Sequence, residues 1–160
     1  MSATQPVRTK HQVCALAEFY LKRGELRNHL FIVMGVHTAP RISDLLRLKW
    51  DDVFDFENNC IRESITITEK KTGKTKLITL NKSIVAAISV YVCVAMRGEH
   101  LINSRRGGAI GRIPAYRNIR AAAEVLGFHS HVSCHSLRKT FGCHTKKTQN
   151  ALRVLNEKPE

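Results

Sequence analysis

Apolar residues recur at helical spacing from about His11 to Arg23, with Val13, Leu16, Ala17, Tyr20 and Leu21 on one face. Gly24 ends that run. A second helix is predicted from about Glu25 to Gly35, with Leu26, Leu30, Phe31 and Met34 on its apolar side. Pro40 breaks the path just before Arg41. Ser43 is then placed to cap a short helix through Leu45, Leu46 and Leu48. After Trp50 the period changes. Val53, Phe54 and Phe56 suit a short extended or turn segment, and Ile61–Thr68 and Lys76–Leu80 alternate with a period of two. Gly73, in the intervening EKKTGKT, suits a tight turn, so these runs form a β-hairpin with a lysine-loaded tip.

Residues 82–96 predict a strongly apolar helix, and Arg97–Pro114 a loop rich in Gly and Arg. Another helix is expected over Ala115–Leu126, stopped by Gly127. Phe128–Cys134 is a loop, and Ser133 is placed to cap a helix from about His135 to Lys147. A last helical piece covers Asn150–Glu157, before Pro159. The whole is a mixed α/β domain, mostly α-helical, with a small antiparallel β-sheet on one side. Residues 1–10 form a flexible, basic N-terminus and 11–160 a single domain with no repeats.

Charge narrows the function. The chain carries 26 Lys+Arg against 13 Asp+Glu, a formal net charge of +13. That excess points to a polyanionic partner, with nucleic acid first. The five cysteines have irregular spacing and no CxxC, which reads as reduced thiols rather than a disulfide framework. MSATQPVRTK has no apolar signal region and no apolar run is long enough to span a bilayer. The expectation is a soluble, cytoplasmic protein with no membrane partner. His129, His131, Cys134, His135, Cys143 and His144 lie close in sequence, but their spacing matches no common zinc site, so no metal is expected.

The chemistry concentrates in two arginine motifs, Arg41 in HTAPRISDLLRLKW and His135 with Arg138 in CHSLRKTFGCH. A guanidinium forks onto phosphate oxygens in a way that lysine cannot copy. His135 and Arg138, at i and i+3, project to one helix face. Breaking a DNA strand through a phosphoprotein passes through a pentacoordinate transition state. It needs preorganised donors for the equatorial oxygens, an acid for the leaving oxygen and a hydroxyl nucleophile. Each residue also has a plainer reading: Arg41 as an ion-pair partner of Asp44, His135 as a helix-start residue, KKTGKTK as a solvated turn.

In this order the segments resemble the catalytic domain of the tyrosine recombinases, the phage integrase family. RISDLL is similar to the family's first box, HSLR to its second, and KKTGK to the hairpin bearing its catalytic lysine. The resemblance covers roughly residues 11–157. It implies the fold of DNA breaking–rejoining enzymes, double-stranded DNA as partner, no cofactor, and a role in DNA integration and site-specific recombination of mobile elements through a phosphotyrosyl link. It assigns catalytic roles to Arg41, Lys71, His135 and Arg138, with Lys70 and Lys74 as rivals of Lys71. Asp44 takes the acidic position that supports the active-site arginines. Lys70, Lys74, Arg105, Arg106 and Lys139 are expected to touch DNA.

The family's tyrosine follows the second box. Tyr20, Tyr91 and Tyr116 all precede it, so the expectation is a C-terminally incomplete domain that does not cleave alone, with no nucleophile in the chain. The alternative is a non-enzymatic DNA-binding accessory or inhibitor derived from an integrase. Weak self-association is expected through apolar surface near Ala151, Leu152, Val154 and Leu155.

Overall fold

The computed structural model describes residue 7 and residues 9–129 and 131–143. The elements are α1 (Lys10–Lys22), α2 (Leu26–Thr38), α3 (Ile42–Leu45), α4 (Trp50–Val53), β1 (Phe54–Asp55), β2 (Cys60–Ile61), β3 (Ser64–Thr68), β4 (Thr75–Thr79), α5 (Lys82–Tyr91), α6 (Arg112–Val125) and α7, helical over 134–143. The architecture is mixed α/β, mostly helical, with small antiparallel sheets. The expected final piece around Asn150–Glu157 lies outside the described residues, as do Ala151, Leu152, Val154 and Leu155.

The core is built around α2. Ten of its residues, from Asn28 to Thr38, are buried. A helix apolar on all sides must be surrounded, and α2 packs against α1 on one flank and α5 on another. Thr9 starts α1, its Oγ1 accepting the Gln12 N–H at 3.1 Å. The expected end of α2 at Gly35 is corrected: the helix runs to Thr38. Gly35 is an interior position where another helix comes close. A Cβ there would meet Leu137 Cδ1 of α7 at 2.6 Å. The helix stops at Ala39, held left-handed at φ 52°, and Pro40 follows.

Three other elements also differ from the expected pattern. The single sheet is two separate two-stranded ladders, β1–β2 and β3–β4. The chain pivots at Arg62, whose N–H donates to Val53 O (2.8 Å) and whose Nε donates to Asp51 O (2.9 Å). The helix expected over 82–96 ends at Tyr91, with one 3-10 turn at Val92–Val94. Beyond it the chain is drawn to α4: Asp51 Oδ2 accepts the Gly98 N–H (2.6 Å), and the Trp50 N–H donates to Glu99 O (3.0 Å). α6 begins at Arg112 rather than Ala115, because Pro114 falls in the first turn, where a missing N–H costs nothing.

Of the two predicted caps, the one at Ser43 moves, and the one at Ser133 holds in position but not through its side chain. Arg41, not Ser43, holds the N-cap of α3. Ser133 precedes α7, but its Oγ is buried without a partner; Ser136 Oγ instead accepts the Ser133 N–H at 3.0 Å. In the stretch expected to be a flexible N-terminus, Val7 is buried and its N–H donates to Thr140 Oγ1 of α7 at 2.9 Å.

Candidate active site

Three segments far apart in sequence meet at one surface pocket of about 270 Å³. Pro40, Arg41, Ile42 and Ser43 form one wall, where α2 turns into α3. Cys134, His135 and Arg138 of α7 form another, and Arg112 enters from the start of α6. No carboxylate lines this pocket among the described residues. His135 is exposed and Arg138 half-buried. Arg138 also borders a neighbouring groove of about 610 Å³, with Lys76, Leu77 and Phe141. Sequence reasoning brought Arg41, His135 and Arg138 together; it missed Arg112.

Arg41 is anchored from behind. Its Nη1 lies 2.7 Å from Glu69 Oε2, and the Glu69 side chain is only 7% exposed. Glu69 also accepts from Lys76 Nζ (2.8 Å) and Thr72 Oγ1 (2.7 Å). These donors, Lys76 first, then Thr72 and Arg41, pull its carboxyl down to about 2. Glu69 opens the hairpin turn: its N–H donates to Lys74 O (2.9 Å) and its carbonyl accepts the Gly73 N–H (2.8 Å). The tight turn expected at Gly73 is there, with φ 67°.

Asp44 is buried and ties α3 to the same turn. Its Oδ1 accepts the Lys70 N–H at 3.1 Å and lies 3.7 Å from Arg47 Nη1. The carboxylate at Arg41 is therefore Glu69, with Asp44 holding the hairpin backbone. Lys70, Lys71 and Lys74 are all exposed on this tip and do not line the 270 Å³ pocket. Lys71 is placed by its neighbours: Glu69 fixes the turn to Arg41, and Asp44 fixes Lys70 to α3.

The other candidates lie elsewhere. Arg105 borders a separate pocket of about 410 Å³ with Glu25, Arg27, Asn28, Tyr91 and Asn103. Arg106 is exposed on the same loop, which Ser104 Oγ closes by donating to Gly107 O at 2.6 Å. Lys139 is exposed on α7. Among the described residues no three His, Cys, Asp or Glu side chains gather as metal ligands. Burial pushes the Cys134 thiol up to about 11, so it is no thiolate beside the arginines. Tyr20 Oη donates to Asn118 O (2.6 Å) and Tyr91 Oη to Asn103 Oδ1 (3.4 Å); burial raises both hydroxyls above the usual tyrosine range. Tyr116 Oη lies 3.2 Å from His131 Nε2. No described helix is long and apolar enough to cross a membrane.

Several known proteins resemble this chain in sequence or in fold. The probable integrase/recombinase YoeC of Bacillus subtilis is 32% identical over 161 residues, spanning 98% of this chain and 84% of that protein. The tyrosine recombinase XerD of Mycobacterium leprae is 29% identical over 143 residues, 82% of this chain but only 43% of its own length. By fold, the XerA recombinase superposes with a TM-score of 0.73 at 20% identity, covering 92% of this chain and 52% of XerA. The lambda integrase catalytic core gives 0.70 at 17% identity, covering 91% and 85%. Residues 7–158 match the phage integrase family as a sequence family, and the chain belongs to it.

Proposed function

We propose that this chain binds a backbone phosphate of double-stranded DNA in the pocket between α3 and α7 and polarises it for strand transfer in site-specific recombination. The observation that carries the reading is the meeting of Arg41, His135 and Arg138 at one carboxylate-free pocket. Arg41 and Arg138 are the donors for the two non-bridging equatorial oxygens, which gain charge in the transition state. His135, exposed on the same face of α7 as Arg138, adds a hydrogen bond to the same group. Lys71 is the acid for the departing 5′-oxygen, with Lys70 and Lys74 its rivals on the same turn. Lys139, Arg105 and Arg106 extend the contact along the duplex.

No nucleophile is assigned among Tyr20, Tyr91 and Tyr116. The first two are buried and hydrogen-bonded, so in this reading the 160 residues bind and polarise the phosphate without forming a covalent adduct. Supporting a DNA partner, the solved relatives include XerH bound to its difH substrate and lambda integrase bound to DNA. The reading places the protein in the cytoplasm, where it self-associates weakly.

The test is titration of a fluorescent duplex over a salt series. Affinity should fall steeply with salt, by about 0.9 log units per tenfold salt for each phosphate held. Arg41→Lys and Arg138→Lys should each weaken binding, because the forked contact is lost while the charge is kept. A wild-type protein that ignores the duplex at low salt would remove the reading.

A further inference from the structure

Arg112 lies in neither arginine box nor in the lysine hairpin, yet its side chain lines the same pocket as Arg41, His135 and Arg138. It is exposed at the first position of α6, where Pro114 sets the first turn. Arg23, Arg41, Arg47, Arg97 and Arg120 each have a carboxylate within ion-pair distance. Among the described residues neither Arg112 nor Arg138 has one. Two unpaired guanidiniums at one small pocket repel each other, and no acidic side chain lines it. An external anion relieves that repulsion.

The position of Arg112 is also fixed. Ala115 and Ile119 are fully buried and hold α6 on the core. Tyr116, one turn beyond Arg112 and on the same face, contacts His131 Nε2 at 3.2 Å. His131 leads directly into α7, so this contact ties the start of α6 to the helix carrying His135 and Arg138. The backbone that carries Arg112 is therefore held beside that helix, with its exposed guanidinium at the pocket's edge.

We propose that Arg112 is a phosphate-binding residue of this site, taking a non-bridging oxygen of the DNA backbone beside the group held by Arg41 and Arg138. The proposal rests on the DNA reading above and deepens it. The planar fork suits phosphate, and the exposed position at the pocket's edge keeps it open to a duplex.

The experiment titrates a fluorescent duplex with the full 160-residue chain across a salt series, using wild type, Arg112→Ala, Arg112→Gln, Arg112→Lys, Arg138→Ala and Arg117→Ala. Arg117 is exposed on the same helix but does not line the pocket, so it controls for charge alone. Arg112→Ala and Arg112→Gln should weaken binding about fivefold or more and make the salt slope shallower by about 0.9. Arg112→Lys should keep the wild-type slope with only part of the affinity. Arg117→Ala should stay within about twofold of wild type. Thermal unfolding of each variant verifies the fold, and Gln gives a second reading should Ala prove unstable. If Arg138→Ala weakens binding while Arg112→Ala and Arg112→Gln match wild type, the Arg112 inference fails and the DNA reading stands. Equal losses from Arg112→Ala and Arg117→Ala would reduce Arg112 to a general charge and also overturn it. Wild type without salt-dependent binding overturns both.

Discussion

Replacing Gly35 by Ala tests how the two arginine boxes are brought together. Gly35 faces α7 from the middle of α2. A Cβ there would lie 2.6 Å from Leu137 Cδ1 and 3.3 Å from Leu137 Cβ. Carbon atoms settle at roughly 3.5–4.0 Å. The Cδ1 clash alone could be relieved by a rotamer change, but Leu137 is only 2% exposed and has little room to swing. The 3.3 Å contact involves Leu137 Cβ, next to the backbone, so relief there requires α7 itself to recede by a few tenths of an ångström. Two effects of opposite sign compete. An interior Gly→Ala change favours the helix by about 1 kcal/mol. Overpacking a filled core costs about 1–3 kcal/mol. The balance is a net loss of about 1 kcal/mol, and the receding helix carries His135 and Arg138 away from Arg41.

Urea unfolding followed by circular dichroism, with duplex affinity measured on the same samples, reads both consequences. The cycle is closed with Leu137→Ala, which costs about 2–5 kcal/mol alone. In that background the added methyl at position 35 has room, so its cost should disappear and only the helix-propensity gain should remain. The reasoning is refuted if Gly35→Ala alone stabilises the protein by about 1 kcal/mol and leaves DNA affinity unchanged. That result would mean that the approach of α2 to α7 does not set the distance between Arg41 and Arg138.

Two further outcomes follow from the carboxylates. The Glu69 carboxyl is depressed to about 2 in the fold, so its stabilisation is present above the ordinary carboxylate range and is lost as pH falls from about 5 toward 2. Wild type should therefore lose stability in that window more steeply than Glu69→Gln, and equal slopes would deny Glu69 its ion-pair role. Asp44→Ala should speed hydrogen exchange at the Lys70 amide, whereas Asp44→Asn, which keeps a side-chain acceptor, should not. An unchanged Lys70 rate in the Ala variant would mean that the 3.1 Å contact does not hold the hairpin.

Arg41, His135 and Arg138 were legible in the sequence because each sits in a short motif whose residue types match a chemical task. The hairpin was legible because Gly73 and strict alternation mark its turn and strands. Glu69 was missed although a signal exists. Ile65, Ile67 and Glu69 share one face of the same alternating run, and all three are buried. An acid in step with the apolar face of a strand must find cations inside, here Arg41 and Lys76. Arg112 carried no such signal, since a Gly- and Arg-rich loop hides which guanidinium the first turn of α6 will present. Gly35 misled because a glycine within an apolar helical run looks like an end, whereas here it marks close packing. The end of α5 was misplaced because Val92, Val94 and Met96 are apolar but the chain beyond them is captured by Asp51 and Trp50. Two of these three, Val94 and Met96, end up exposed.

The placement of charge around Arg41 has its own logic. A chain with a formal charge of +13 has no shortage of cations; what it needs at a phosphate site is cations held in one geometry. A free arginine spends its rotamer entropy when it binds, which weakens each contact it makes. Glu69 limits that freedom beforehand through an ion pair with Arg41 Nη1 at 2.7 Å, a contact of charge rather than an aligned hydrogen bond. The Arg41 side chain as a whole is 31% exposed, and it lines the pocket. The same carboxylate takes Thr72 and Lys76, so orienting Arg41 also orders the turn that carries Lys71. Asp44 makes the second tether, from the helix that Arg41 begins to the residue before Lys71. The hairpin and the first arginine therefore behave as one unit, and a displacement of either should be felt at the other. Arg112 and Arg138 lack such carboxylates, so their repulsion is uncompensated within the described residues. The pocket is thus asymmetric: one guanidinium is paired from within by Glu69, and two have no carboxylate partner among the described residues, which is the arrangement the proposed phosphate contact requires.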